Sequence, residues 1–496
     1  MRILYLLCVP NNRLDQLKNA GFSLYSATKF DVTNEIKAIK EQFSSLEPGE
    51  ESGQEVSLAG RIVAIREHGG IVFVDLVDST DKIQLVLRKD ITNNFENSSL
   101  LRVYDIIGLR GRVIRTRRGE LSILVEDYDI LVPCLTRANK VNPEYPVRVL
   151  ALMTNRHMTE AMKNLSRLME IIRQYLWSRG YLEVPTPAIV PVHNGALSKP
   201  FVVHVNAIDR DCFLSVAPET YLKRAVVVLQ RPVFDIAKCF RNEDIDTTHH
   251  PEFHQLEIYV PYKDYSFVMN LAKDLIQHVA KELLGDLRIR TSNGIIDLSG
   301  DWPVYDMIKT LNQRLGLDVL SLDVEELLAI ARDYGIETQH KIKGKIIEKL
   351  FEGIIKPELP NDPYFVTGHP MDISPLAKES QERPGIAERF ELFINHMEIA
   401  NGYSEQNDPE VQRKAFEEQE RMRSELGEEE YISKDQEYIE TLKIGLPPTA
   451  GLGIGMERLL MVLFGIENIR HVIPFPLSGQ YPKRPRPKRR IAVVVL

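Results

Sequence analysis

Phe240-Arg241-Asn242-Glu243, running on through His249-His250-Pro251-Glu252-Phe253 to Glu257, and Gly451-Leu452-Gly453-Ile454-Gly455-Met456-Glu457-Arg458 are the stretches that decide how this chain is read. Each sets an arginine close to an acidic residue. The first is flanked by apolar, strand-like text, and the second leaves a glycine run and opens a helix. Two arginines delivered from segments roughly 200 residues apart suit a polyanion, because guanidinium meets phosphate oxygens in pairs and stays charged. Either arginine alone would read as a solvated surface charge.

A length of 496 residues implies about two to four domains with ample core. The net charge of −8 means that any contact with nucleic acid uses local basic patches, not a global field. Cys8, Cys134, Cys212 and Cys239 show no CxxC spacing, which points to a reducing compartment and away from a disulfide framework or zinc site. The apolar start Ile3–Val9 is too short for a membrane span and lacks a cleavage region, so no membrane association is expected.

Residues 14–46 carry one or two short helices, with Leu14, Leu17 and Ala20 at helical spacing. From 55 to 133 the period changes to two. Val56–Gly60, Ile71–Leu76, Ile83–Leu87, Ile106–Ile114 and Leu121–Val125 are five strand-length runs, which suit a small closed barrel of the OB type. Arg110, Arg112, Arg115, Arg117 and Arg118 cluster in and after the fourth run. Residues 133–156 read as a proline-containing linker. An amphipathic helix follows, with Met158, Met162, Leu165, Met169, Ile172 and Leu176 on one face and Gly180 as its stop. Val227-Val228, Val233–Ile236 and Leu256–Val260 are strand candidates, and Met269–Leu284 and Val324–Tyr334 are helix candidates. The predicted organisation is α+β: a helical extension (1–54), an OB-fold barrel (55–132), the linker (133–156), a catalytic domain of mainly antiparallel sheet flanked by helices (157–476) and a basic tail (477–496) containing Lys483–Arg490.

Together the two opening stretches resemble motifs 2 and 3 of the class II aminoacyl-tRNA synthetases. Phe365–Pro370, Ser374–Lys378, Arg389–Phe393, Glu398–Pro409 and Gly445–Gly451 resemble the lysyl-tRNA synthetase branch, and Leu14–Phe22, Ala59-Gly60-Arg61 and Phe73–Gln84 resemble that branch's first helix and barrel. The resemblance implies ATP-dependent activation of lysine and transfer to the 3′ end of tRNA(Lys). It assigns Arg241 and Arg458 as the catalytic cations. Glu243, His249 and Phe253 join them in holding ATP. Gly195, Glu219, Glu257, Tyr259, Asn401, Tyr403 and Glu405 are implied for lysine, with Glu405 facing the ε-ammonium. Glu391 and Glu398 are implied for Mg2+, and Arg66, Phe73, Gln84 and Glu120 for the tRNA anticodon. Pro187 resembles the motif 1 proline, which implies a homodimer, and the reaction implies a cytoplasmic setting.

The pattern departs from the branch in four places, one of them a tail after Pro476 that is longer than expected. Asn139–Asn155 does not match its usual arginine- and tyrosine-rich stretch, His250 stands where asparagine is commoner, and Met456-Glu457 resembles the aspartyl and asparaginyl branch. Synthetases for aspartate or asparagine, and an RNA-binding paralogue without charging activity, are the rival readings. His249, His250 and His254 are read through motif 2 and not as a metal cluster.

Overall fold

The computed structural model describes residues 12–135, 148–292, 294–338, 340–426 and 431–477, so the tail reading of Lys483–Arg490 lies outside the described residues, as does most of the atypical 139–155 segment. The chain forms two compact units that divide after Ala151.

In the first unit, strands β1 (Glu51–His68), β2 (Ile71–Val77), β3 (Lys82–Arg88), β4 (Ile106–Arg115) and β5 (Leu121–Val132) close a barrel in the order β1-β2-β3-β5-β4. The β3–β5 contact is parallel and the other pairings are antiparallel. Alternation fixes the register: Val72, Val74 and Leu76 of β2 point inward to meet Leu58, Ile62, Leu85, Leu109 and Ile123. The boundary drawn at residue 54 falls inside β1. The helices Asn12–Asn19 and Ile36–Gln42 are too short to stand alone in water. They are held because Leu17, Ile36 and Ile39 join the barrel's own core.

A buried ion pair fastens the first helix. Arg13 Nη2 lies 2.6 Å from Asp105 Oδ2, with both side chains at most 3% exposed. Asp105 also accepts from the backbone N–H of Arg102 and Cys134. Removing one member of such a pair strands the other charge.

In the second unit, β6 (Leu182–Glu183) is followed by a small three-stranded sheet of β7 (Ile189–Val190), β8 (Val202–Val205) and β9 (Arg210–Leu214). Then come β10 (Val233–Phe240), β11 (Glu252–Pro261), a hairpin of β12 (Arg288–Thr291) and β13 (Gly294–Asp297), β14 (Val304–Asp306), β15 (Tyr364–Thr367), β16 (Arg389–Ile394), β17 (Met397–Ser404) and β18 (Thr449–Gly455). The main sheet has eight strands in the order β14-β15-β16-β17-β18-β11-β10-β6. It is antiparallel except where β14 meets β15 and β6 meets β10. One face is sealed by the helices Arg156–Trp177 and Tyr265–Leu284, whose Leu168, Ile172, Leu275 and Val279 pack with Leu256, Ile258, Leu452 and Ile454 of the sheet. The opposite face is left for the site.

Val227 and Val228 are not in a strand but in the helix Glu219–Leu229. The β-branched run misleads, because Leu222 and Val226 bury one helical face while Val228 is exposed to solvent. Residues Arg148–Thr154, within the expected linker, are also helical.

Asp105→Ala should destabilise the barrel unit by about 3–5 kcal/mol, because Arg13 would be left buried and uncompensated. Urea unfolding followed by the fluorescence of that unit's tyrosines checks this, and an unchanged midpoint would contradict it.

Candidate active site

Strand register builds the site. Glu391 on β16 pairs with Asn401 on β17, Asn401 with Gly453 on β18, Gly453 with Glu257 on β11, and Glu257 with Asp235 on β10. The next row runs Arg389–Tyr403–Gly451–Tyr259–Val233. Residues two apart share a face, so Gly451, Gly453 and Gly455 leave a strip without side chains down the middle of the exposed face. A Cβ at Gly451 would sit 2.1 Å from Glu405 Oε1 and 2.6 Å from the Tyr259 ring, and one at Gly453 would sit 2.9 Å from Glu257 Oε1. The strip floors a cleft of about 340 Å³. Of the residues expected for ATP, lysine and metal, all but Glu391 and Glu405 line it.

At one end three carboxylates converge out of water: Glu219, Glu257 and Glu405 are each at most 4% exposed. The Glu257 Oε2 accepts from the Tyr259 hydroxyl at 2.9 Å and its Oε1 from Gln255 Nε2 at 2.8 Å. Burial, and then the charge of Glu219, push the Glu257 carboxyl up to about 8. Glu405 is not among the residues that line the cleft, although its Oε1 stands over Gly451 in the floor strip. It is buried in ion-pair contact with Lys223, while its Oε1 has no hydrogen-bond partner. Gly195 occupies φ +98°, and a Cβ there would press on Ala217 O at 3.0 Å. Glycine alone takes that backbone without strain.

At the other end the β10–β11 connection presents Arg241, whose N–H donates to Pro251 O and extends the hairpin pairing. Its guanidinium stands 5.2 Å from the centroid of Phe253, a cation–π contact. Glu243 Oε1 accepts from Lys199 N. Arg458, in the first turn of the helix Met456–Phe464, donates to Glu398 O at 3.1 Å and lies 2.9 Å from His249 Nε2. Glu457 is buried at the edge of the cleft, accepting from His254 N and bonded to His254 Nδ1. His250 Nε2 accepts from Leu477 N. The three histidines therefore have three different partners.

Of the expected metal pair, Glu398 lines the cleft and Glu391 does not. Arg389 Nη2 donates to Glu391 Oε1 at 2.6 Å. Glu391 also groups with Glu348 and His369, one ligand atom from each lying within 4.8 Å of the others. Burial and the charge of Glu391 push Glu348 up to about 7.

The barrel unit carries a second cluster. Phe73 is not core: it sits opposite Arg66, on the face away from Val72 and Val74. Arg66 Nη2 lies 2.6 Å from Asp75 Oδ1 and donates to Gln84 Oε1 at 3.3 Å, Gln84 donates to Ser122 Oγ, and Glu120 acts on Arg66 through its charge. All four residues expected at the anticodon thus share one neighbourhood. Of the arginines clustered in and after the fourth run, Arg115 is engaged within the unit, donating to the carbonyls of Gly119 and Ser44.

Comparison with known proteins agrees with this geometry. Residues 141–479 match the family described as tRNA synthetases class II (D, K and N), and residues 56–131 match the OB-fold nucleic acid binding domain. A lysine–tRNA ligase of Saccharolobus solfataricus is 39% identical over 94% of this chain and 96% of its own length. Lysine–tRNA ligase 2 of Methanosarcina acetivorans is 41% identical over 90% and 89%, and the Moorella thermoacetica lysine–tRNA ligase 39% over 95% and 97%. The chain belongs to the class II lysyl-tRNA synthetase family. Gln255 and Arg389 line the cleft and Lys223 contacts Glu219 and Glu405, and none of the three was assigned a role from the sequence. For Lys223 a signal existed, since it stands four residues after Glu219, one helical turn away.

Gly451→Ala should cut amino-acid-dependent ATP–pyrophosphate exchange at least about tenfold in a folded protein, since the new methyl must displace Glu405 or Tyr259. Steady-state exchange kinetics check this, and wild-type rates would refute the packing argument.

Proposed function

We propose that the protein activates L-lysine with ATP to lysyl-adenylate and transfers the lysyl group to the 3′ end of tRNA(Lys). The observation that carries this reading is the convergence of Glu219, Glu257 and Glu405, which one buried cation, Lys223, does not balance and which therefore calls for a ligand with ammonium groups. An aspartate- or asparagine-specific pocket needs a cation or amide facing the side chain, and three carboxylates oppose that.

In this reading Glu219 and Glu257 grip the α-ammonium, with Gly195 letting the substrate backbone approach, while Glu405, Asn401, Tyr403 and Tyr259 enclose the side chain. The lysine carboxylate attacks the α-phosphorus, pyrophosphate leaves, and Arg241 stabilises the charge that builds there. Phe253 stacks on adenine, Glu243 reads its amino group, and Arg458 and His249 hold the outer phosphates. A tRNA ribose hydroxyl then attacks the lysyl carbonyl and AMP departs. No protein nucleophile is required, because positioning and charge supply the catalysis. Glu398, with Glu391 behind it, offers the hard oxygen donors that suit Mg2+. When bound, the ion would neutralise outer-phosphate charge. The barrel face of Arg66, Phe73, Gln84 and Glu120 reads the anticodon by stacking and edge contacts. Homodimerisation through the motif 1 region and a cytoplasmic setting belong to the same reading. Among the described residues no helix is long and apolar enough to cross a membrane.

ATP–pyrophosphate exchange with each of the twenty amino acids tests the assignment: lysine alone should support it, and exchange with aspartate or asparagine instead would move the chain to a rival reading. Glu257 adds a pH dependence. Its carboxyl is raised to about 8 without ligand, so it holds its proton below that pH and must lose it to grip an ammonium. The KM for lysine should therefore fall as pH rises from 6 to 8 and level off above, while the KM for ATP stays flat. A flat lysine profile would exclude Glu257 from the grip.

Phe73→Ala should remove a stacking contact of about 1–3 kcal/mol. Charging of tRNA should drop about tenfold or more, with ATP–pyrophosphate exchange intact. Equal losses in both half-reactions would instead mark Phe73 as structural.

A further inference from the structure

Lys223 has no solvent exposure. Its Nζ lies 2.6 Å from Glu219 Oε1 and contacts Glu405 Oε2. The Tyr403 and Tyr438 rings stand with their centroids 5.7 Å from it. Glu257 and the Tyr259 hydroxyl complete the charged and titratable surroundings, and Arg224 on the same helix is engaged by Asp435. A desolvated ammonium persists only where it is paired, and this one is paired twice, to carboxylates 186 positions apart in the sequence (219 and 405).

With ligand bound and Glu257 ionised, Glu219, Glu257 and Glu405 contribute three negative charges and Lys223 one positive charge, which leaves two. Free lysine brings two ammonium groups to this end, while its carboxylate points toward Arg241. Without Lys223, three carboxylates would confront two ammonium groups, and one would have to take up a proton or turn away. We propose that Lys223 is a positioning residue: it cancels one carboxylate from within, holds Glu405 and Glu219 in place before ligand arrives, and so matches the pocket to an amino acid carrying two ammonium groups. The inference rests on the lysine reading under Proposed function.

The test uses the full chain. In Lys223→Ala the KM for lysine should rise at least tenfold while the KM for ATP changes less than twofold. Millimolar propylamine should recover most of the loss by returning an ammonium to the vacated space, and propanol should not. An unchanged lysine KM, a parallel loss for ATP, or equal rescue by propanol would overturn the proposal, the last by showing that Lys223 only fills space. If the single variant unfolds, the double variant Lys223→Ala/Glu405→Gln should melt above it, because the stranded carboxylate is gone, and a melting temperature no higher would overturn the pairing. Failure of the underlying reading is distinguishable, since the unaltered protein would then activate an amino acid other than lysine.

Discussion

Carboxylates gathered out of water repel one another, and most of what this catalytic unit does follows from accommodating that repulsion. Glu219, Glu257 and Glu405 arrive from a helix, a strand and a loop, and no one of those elements could hold all three. The sheet supplies the spacing, Lys223 supplies one internal charge, and Tyr259 and Gln255 supply donors. What remains uncompensated is the driving force for binding. The same unit balances the opposite charge at its other end, where Arg241 rests on Phe253 and Arg458 rests on Glu398 and His249.

The barrel solves a different problem. Its inward face is continuous aliphatic core, and its outward face pairs Arg66 with Asp75 and Gln84 with Ser122, so the charges there are largely cancelled within the face. In a chain with net charge −8, the proposed reading by aromatic stacking and base-edge contacts asks less of general attraction to phosphate than a basic surface would. The Arg13–Asp105 pair shows how the short leading helix becomes part of the unit, since its length alone would not keep it folded.

Much of this was legible in the sequence. The five barrel strands announce themselves by alternation, and the motif text around Arg241 and Arg458 marks the two halves of one cleft. Other features were not legible, for physical reasons. Val227 and Val228 have strand propensity, yet sit in a helix because their neighbours Leu222 and Val226 have a core to bury into. The start of β1 at Glu51 is hidden by the turn-forming Ser52 and Gly53, which lie in the irregularity that interrupts its pairing with β4 between Glu51 and Glu55. The depth of Glu405 and its pairing with Lys223 depend on packing between segments far apart in the chain, which no local pattern encodes. Arg389, read only as part of a motif, proved to be the cation that occupies Glu391.

The bare strip down β18 has a consequence for how the protein can change. Mutation at Gly451, Gly453 or Gly455 can only add atoms, and at Gly451 and Gly453 they would fall where other side chains already stand. The centre of the cleft therefore offers no room for gradual adjustment. Any drift in what the site accepts is left to the side chains around the strip, on β11 and β17 and on the helix and loop that carry Glu219 and Glu405.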